Sequence, residues 1–371
     1  MTVTSPFWLT AMFATVAFYW LFPAALRPKF LTVATACFLL YADYRAAVLL
    51  AIFVASSWML LKLRPKHSVL IALAIPCLAL VYYKLQMNAG PVSTFGGVAI
   101  PLGLSYSTFR ILHYVIESSR NNLPEHKFAD YLAYIFFLPT ILVGPINRFP
   151  QFLNDRLSSL WRSEHISGGL ERIVIGYFKI TVIATYLLSK VSSQWLANTY
   201  ADSSPFGHYL EAVIGSLNLY MLFSGYSDIA IGFAMMLGYT VMENFRFPFL
   251  QKNIADFWRC WHISLTSWSR EYVFMTALSL TRKPYLATLL SLLFIGIWHE
   301  ISFRYVAWGL YHGMGIVVCM QWGKFKRKAN LPSPQSATLV MAANTLKVFM
   351  TANFFFLGYF IAPGVSGMVP Q

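Results

Sequence analysis

Histidine is the side chain that most readily gives and takes a proton near neutral pH, so histidines at the ends of apolar runs mark where this sequence can do chemistry. His299 closes the run Phe294-Ile295-Gly296-Ile297-Trp298-His299-Glu300, which starts at Leu286. His262 lies upstream in Arg259-Cys260-Trp261-His262-Ile263-Ser264. A third polar interruption, Phe223-Ser224-Gly225-Tyr226-Ser227-Asp228, sets Asp228 in an otherwise apolar stretch. Two imidazoles brought together from separate helices form a general acid-base pair. A carboxylate at membrane depth orients an imidazole, accepts a hydrogen bond from another helix or pairs with an arginine. Each residue also has a plainer structural use: a histidine bonded to nearby backbone, or an ion pair that fastens two helices. Structural pairing is the expected role of Asp228.

His312 lies in Trp308-Gly309-Leu310-Tyr311-His312-Gly313. If one continuous helix carried both, a turn of ~100° per residue would point it nearly opposite to His299, so a shared site is not expected. His67, His113, His126, His165 and His208 read as loop or helix-end residues.

The elements that must position these groups follow from composition. Of 371 residues, 57% are hydrophobic and only 11% are charged, against about a quarter charged in a soluble domain. So few charges cannot cover a water-soluble surface. The apolar residues form blocks of the length that crosses ~30 Å of hydrocarbon, and Trp and Tyr gather near block ends, as in Tyr19-Trp20, Tyr82-Tyr83 and Trp322. The spacing predicts helices near residues 6–25, 30–43, 46–61, 68–86, 98–117, 129–144, 170–192, 209–224, 226–239, 286–300, 303–321 and 338–362, of which ten or eleven span. The first block lacks a basic leader and a cleavage site and reads as a retained helix. No internal repeat or soluble domain stands out, and residues 1–371 read as one domain.

Residues 244–276 differ in kind. From Ala255 onward, aromatic and apolar residues at 257, 258, 261, 265 and 268 recur at helical spacing with charges between them, the pattern of an amphipathic helix at an interface or along a cavity. The net charge of +14 lies in short loops: Arg27-Pro28-Lys29, Lys62 with Arg64 and Lys66, and Lys324, Lys326, Arg327 and Lys328. These would all be cytoplasmic with the N-terminus outside. Such loops attract anionic lipid or a donor's phosphates, and they make no single solvated face for nucleic acid. Cys37, Cys77, Cys260 and Cys319 are far apart, with neither a disulfide framework nor a zinc pattern, so no metal site is expected.

Six segments in order resemble the bacterial branch of the membrane-bound O-acyltransferase family: Pro101–Phe109 (PLGLSYSTF), Phe136–Arg148 (FFLPTILVGPINR), Phe223–Gly232 (FSGYSDIAIG), Glu243–Phe249 (ENFRFPF), Phe257–Tyr272 (FWRCWHISLTSWSREY) and Gly296–His299 (GIWH). The resemblance covers nearly the whole chain. It implies an all-α polytopic membrane protein, a cone of about 10–11 membrane helices around a central funnel between a cytoplasmic acyl donor and an acceptor at the outer face. It assigns catalysis to His299 and His262, with Trp298, Asp228, Trp261, Ser264, Asn244 and Arg259 as binding or orienting residues. It implies a thioester donor, acetyl-CoA or an acyl carrier protein, as co-substrate and no bound cofactor. The implied partners are an envelope polysaccharide or polymer, an extracytoplasmic accessory acyltransferase, a cytoplasmic acyl carrier protein and anionic lipid, with the chain in the bacterial cytoplasmic membrane. Acetyl is the leading acyl group, and D-alanyl transfer to teichoic acid is the alternative. Where the family has glycine after the motif histidine, this chain has Glu300. From other classes, a proton-coupled transporter would also use buried histidine and aspartate, but would show inverted repeats that are absent from this sequence. A noncatalytic scaffold would tolerate loss of both histidines.

Overall fold

The computed structural model describes residues 4–88, 100–200, 204–330 and 336–362. Among them the regular structure is helical, apart from one isolated antiparallel bridge between Phe245 and Trp261. In chain order the α-helices are α1 (Pro6–Tyr19), α2 (Arg27–Leu63), α3 (Ser68–Asn88), α4 (Leu104–Ser119), α5 (Phe128–Ile135), α6 (Phe149–Ser158), α7 (Ser163–Phe178) and α8 (Ser193–Thr199). They continue with α9 (Pro205–Met236), α10 (Ile254–Cys260), α11 (Ile263–Ser269), α12 (Met275–Thr281), α13 (Pro284–His299), α14 (Phe303–Lys328) and α15 (Ala337–Gly358). A π-helical segment, Lys179–Ser192, joins α7 to α8 without a break.

Among the described residues, five helices are long and apolar enough to cross a membrane: Arg27–Leu63, Ser68–Gln86, Ser163–Thr199, Pro205–Met236 and Ala337–Gly358. Three shorter apolar helices accompany them, Pro6–Tyr19, Phe128–Thr140 and Pro284–His299. Val33, Leu40, Val48 and Ile52 on α2, and Leu346, Phe349 and Met350 on α15, are all exposed. Water would penalise such faces and hydrocarbon accepts them. The chain is an all-α polytopic membrane protein.

Contacts group the residues into two compact units, one of Met1–Tyr177 with Tyr226–Met242 and the other of Phe178–Gly225 with Glu243–Val369.

In the first unit, the expected helices 30–43 and 46–61 are one helix, α2, kinked at Asp43 (φ −161°, ψ 91°). The Asp43 carboxylate bonds groups around the kink, one of them a backbone N–H of the kinked helix. Its Oδ1 accepts from Arg45 N and Nε at 3.2 Å each, and its Oδ2 accepts from Leu102 N at 3.1 Å. The expected helix 129–144 stops at Ile135 and gives way to a short 3₁₀ turn, Leu138–Thr140, because Pro139 cannot supply a helical N–H. The fully buried Arg110 of α4 covers the freed carbonyls, donating to Tyr134 O (3.1 Å), Ile135 O (3.4 Å) and Thr140 O (2.8 Å). A guanidinium there also complements the negative end of α5. His113 is not a helix-end residue as expected: it lies inside α4, buried, and its Nε2 accepts from Phe149 N at 3.1 Å. The start of the expected helix 98–117 lies outside the described residues.

Residues 205–236 form one helix rather than two that part near Gly225. The polar residues that suggested a break have partners instead, Asp228 with Arg172 at 2.9–3.0 Å and Ser224 with Lys179 Nζ at 2.9 Å. Gly232 gives the helix its close approach to α7. A Cβ built on it would lie 2.6 Å from Gly169 O. That acceptor is backbone and cannot swing aside, so Gly232→Val is expected to cost about 1–3 kcal/mol or more, read as a fall in the thermal unfolding temperature of the detergent-purified protein.

Candidate active site

The expected amphipathic helix from Ala255 is interrupted at His262, one of the two histidines nominated by the sequence. α10 ends at Cys260, Trp261 is extended, and His262 adopts the left-handed region (φ 44°, ψ 53°) before α11 begins. For a residue with a β-carbon this costs about 1–3 kcal/mol and persists only where neighbours hold it. The segment Asn244–Arg246 does so. Arg246 N donates to Cys260 O at 3.0 Å and Ile263 N to Asn244 O at 2.9 Å, on either side of His262. The Asn244 side chain completes the clamp, its Oδ1 accepting from Ser264 Oγ at 2.7 Å and Ser264 N at 3.3 Å. The imidazole is buried against Phe223, ring centres 4.6 Å apart, and its Nε2 has no hydrogen-bond partner among the described residues.

His299 is the last residue of α13. Glu300 is extended (φ −155°), and the Ser302 side chain caps α14, which folds back against α13. Glycines make that hairpin tight: a Cβ on Gly296 would meet Tyr305 O at 2.3 Å, and one on Gly309 would meet Leu292 O at 2.7 Å. The half-buried His299 ring is then set among aromatic rings, with Trp298 at 4.6 Å, Trp308 at 5.7 Å and Tyr305 at 5.9 Å. It faces a cavity of about 50 Å³ whose wall includes Ser216, Trp261, Tyr305, Trp308 and Phe355.

Trp298 connects the two histidines, its ring 6.1 Å from His262 and 4.6 Å from His299. Three of the sequence-nominated residues therefore come together with His299, namely His262 and Trp298 by ring contacts and Trp261 on the shared cavity, while Ser264 and Asn244 hold the backbone beside His262. Two do not. Asp228 pairs with Arg172 within the first unit, a structural pairing as expected. Arg259 is exposed and pairs with Asp256 one turn back at 2.5 Å. Sequence reasoning did not single out Tyr305 and Trp308, which line the cavity beside His299. Its premise of one helix through residues 299 and 312 fails at the turn 300–302, and Trp308 packs on both His299 and His312, at 5.7 and 4.5 Å. The Gly296 and Gly309 pair was the available signal, since small residues on successive apolar blocks are what let two helices pack closely.

A family model described as the membrane-bound O-acyltransferase family matches residues 48–361. The chain belongs to this family. Among curated relatives it is 31% identical over 225 residues to the probable alginate O-acetylase AlgI of Pseudomonas aeruginosa, covering 60% of this chain and 43% of that protein. It is 30% identical over 285 residues to the teichoic acid D-alanyltransferase of Bacillus subtilis, covering 71% and 68%. It is also 30% identical over 232 residues to the peptidoglycan O-acetyltransferase of Helicobacter pylori, covering 60% and 43%. The chain thus spans less than half of the alginate and peptidoglycan relatives' length.

In this membrane-bound O-acyltransferase family member, the site offers one partly accessible imidazole on a small cavity and a second, buried imidazole held by a strained backbone. Asn244 makes the hold specific, because its carboxamide bonds both Ser264 groups while its backbone carbonyl takes Ile263 N. Misplacing a catalytic group by about 1 Å costs on the order of 10²-fold. If His262 is a catalytic group, Asn244→Ala is expected to lower turnover roughly 10- to 100-fold with little change in KM, checked by steady-state kinetics of the purified protein.

Proposed function

We propose that this chain moves an acyl group from a cytoplasmic thioester donor, acetyl-CoA or an acyl carrier protein, to a hydroxyl of an extracytoplasmic envelope polysaccharide or an intermediate carrier. The observation that carries the reading is His299 at the end of an apolar helix, facing a small aromatic cavity and linked through Trp298 to His262. In the proposed step the His299 imidazole takes the proton from the acceptor hydroxyl as its oxygen attacks the thioester carbonyl. The new C–O bond forms, the C–S bond breaks, and the thiolate leaves and is protonated. Negative charge builds on the carbonyl oxygen in between, where an N–H of Trp298 or of the His262 ring stabilises it.

A cavity of about 50 Å³ has room for only a few waters, at about 10–15 Å³ of such space each. That size supports acetyl over a long acyl chain. D-alanyl transfer to a teichoic-acid-like polymer is the second reading, favoured by the relative that bears that name and matches 71% of this chain. Residues 1–371 act as one acyltransferase domain in the bacterial cytoplasmic membrane with the N-terminus outside. Lys324 Nζ lies 4.9 Å from the Tyr285 ring, which draws Arg282 and Lys283 to the same end as Lys326, Arg327 and Lys328. Such a patch supports contact with anionic lipid or an acidic carrier protein on the cytoplasmic side.

Reconstitution tests the reading. Proteoliposomes given labelled acetyl-CoA or a charged carrier on one side, and a hydroxylated polymer with any accessory acyltransferase on the other, should transfer label to the polymer. Solute or ion flux without label transfer would replace the enzyme with a transporter.

A further inference from the structure

Helix α15 is one of the five helices long and apolar enough to cross a membrane, and its two halves differ. The C-terminal half is packed. Thr351, Phe355, Phe356 and Gly358 are buried, the Phe355 ring lies 4.7 Å from those of Phe257 and Trp261, and Tyr311 Oη donates to Phe354 O at 2.8 Å. From Ala337 to Met350 no residue is buried. Along that half runs an open groove of about 540 Å³, lined by Ala337, Val340, Met341, Asn344, Thr345 and Val348.

Hydrocarbon suits most of these side chains, but not Lys347. This residue is exposed at the middle of the helix, its Cα about 15 Å from either end at about 1.5 Å per residue. Lysine reaches the membrane surface by snorkelling only near helix ends, and an ammonium at the centre of a span is costly unless it faces a partner. The Lys347 backbone carbonyl accepts from Thr351 Oγ1 at 2.8 Å, and its ammonium has no partner among the described residues. Val340, Asn344 and Lys347 follow one another at the spacing of a single helical stripe, so the ammonium stands one turn along from the amide in the groove. Polar side chains at this depth are what join helices in membranes, because lipid gives them no hydrogen bond.

The charge identifies what packs there. Phospholipid phosphates lie at the surface, so the counter-charge belongs to something that itself enters the hydrocarbon. A second copy of this chain does not supply it. The acids on the five candidate spans are Asp43, Glu164, Glu171, Glu211 and Asp228. Asp43 and Asp228 are mostly buried and paired with Arg45 and Arg172, and the three glutamates lie in the first three turns of their helices.

We propose that the N-terminal half of α15 is the docking face for a membrane-spanning helix of another protein, with a carboxylate near the middle of that helix paired to Lys347. Docking at this face does not depend on acyl transfer, and binding can be measured without it. The full-length chain, carrying a fluorescence donor, is reconstituted in phosphatidylcholine vesicles. It is titrated with acceptor-labelled leucine-alanine spanning peptides that differ only in a central glutamate or glutamine. Energy transfer should saturate with the glutamate peptide at a density at least about tenfold lower than with the glutamine peptide, the usual effect of a charge-assisted hydrogen bond. Lys347→Met should remove that preference, and Lys347→Glu should move it to a peptide with a central lysine. Lys347 is exposed, so both variants should unfold within a few degrees of the parent, and Lys347→Gln decides if either does not fold. Equal binding of the glutamate and glutamine peptides, or a preference that survives loss of the ammonium, overturns the proposal. Energy transfer between labelled copies of the chain that Lys347→Met abolishes would also overturn it, because the occupant would then be a second copy.

Discussion

Replacing His299 with alanine should lower acyl transfer by about 10²–10⁴-fold, the usual range for removal of a positioned general base, with the loss in kcat. The imidazole sits at the end of α13, half-buried, with its cavity on one side and Trp298, Trp308 and Tyr305 around it. Glu300 N closes the helix on Gly296 O at 3.2 Å, and Ser302 starts α14 through Tyr305 N. The variant should therefore express, purify as a single species and unfold within a few degrees of the parent. His262→Ala should also lose most transfer, but with a stability penalty, since His262 fills a buried space against Phe223. Retention of full transfer by the double variant would leave a scaffold that recruits a separate acyltransferase. Loss of transfer in a well-folded His299→Ala protein removes that alternative.

The sequence made the membrane habit and the two histidines legible for different reasons. Block length and the scarcity of charge set the helices, and α13 and α14 begin within a few residues of the expected positions because Pro284 and the Ser302 cap are explicit start signals. His262 was visible as a motif residue, but its left-handed backbone was not. That conformation depends on Asn244, 18 residues away in sequence by numbering, and periodicity carries no information about such a clamp. The opposite error occurred at Gly225, where a glycine among polar residues reads as a helix end. Helix α9 continues there because Arg172 and Lys179, distant in sequence, satisfy Asp228 and Ser224. His312 was set aside by a geometric rule that holds only within one helix. A turn at residues 300–302 is enough to put Trp308 against both histidines.

The Arg172–Asp228 pair carries the second large effect. Both Arg172 Nε and one terminal nitrogen donate to Asp228 Oδ1, at 3.0 and 2.9 Å, and the Asp228 side chain is only 10% exposed. Removing Asp228 leaves the Arg172 guanidinium, 28% exposed, without this partner, so Asp228→Leu alone should destabilise the protein by about 1–3 kcal/mol. Replacing both charges at once is different. Apolar pairs of similar volume in place of buried ion pairs are often neutral or stabilising, so Arg172→Met with Asp228→Leu should recover most of the lost unfolding temperature. The same double variant separates two roles for Asp228. If the carboxylate only fastens α7 to α9, transfer returns with the fold, at a KM and kcat near those of the parent. If it moves protons, as a transporter would require, the restored fold remains inactive because neither replacement titrates. A stable, inactive double variant would therefore sink the structural reading of Asp228. A stable, active one would leave proton chemistry to the two histidines.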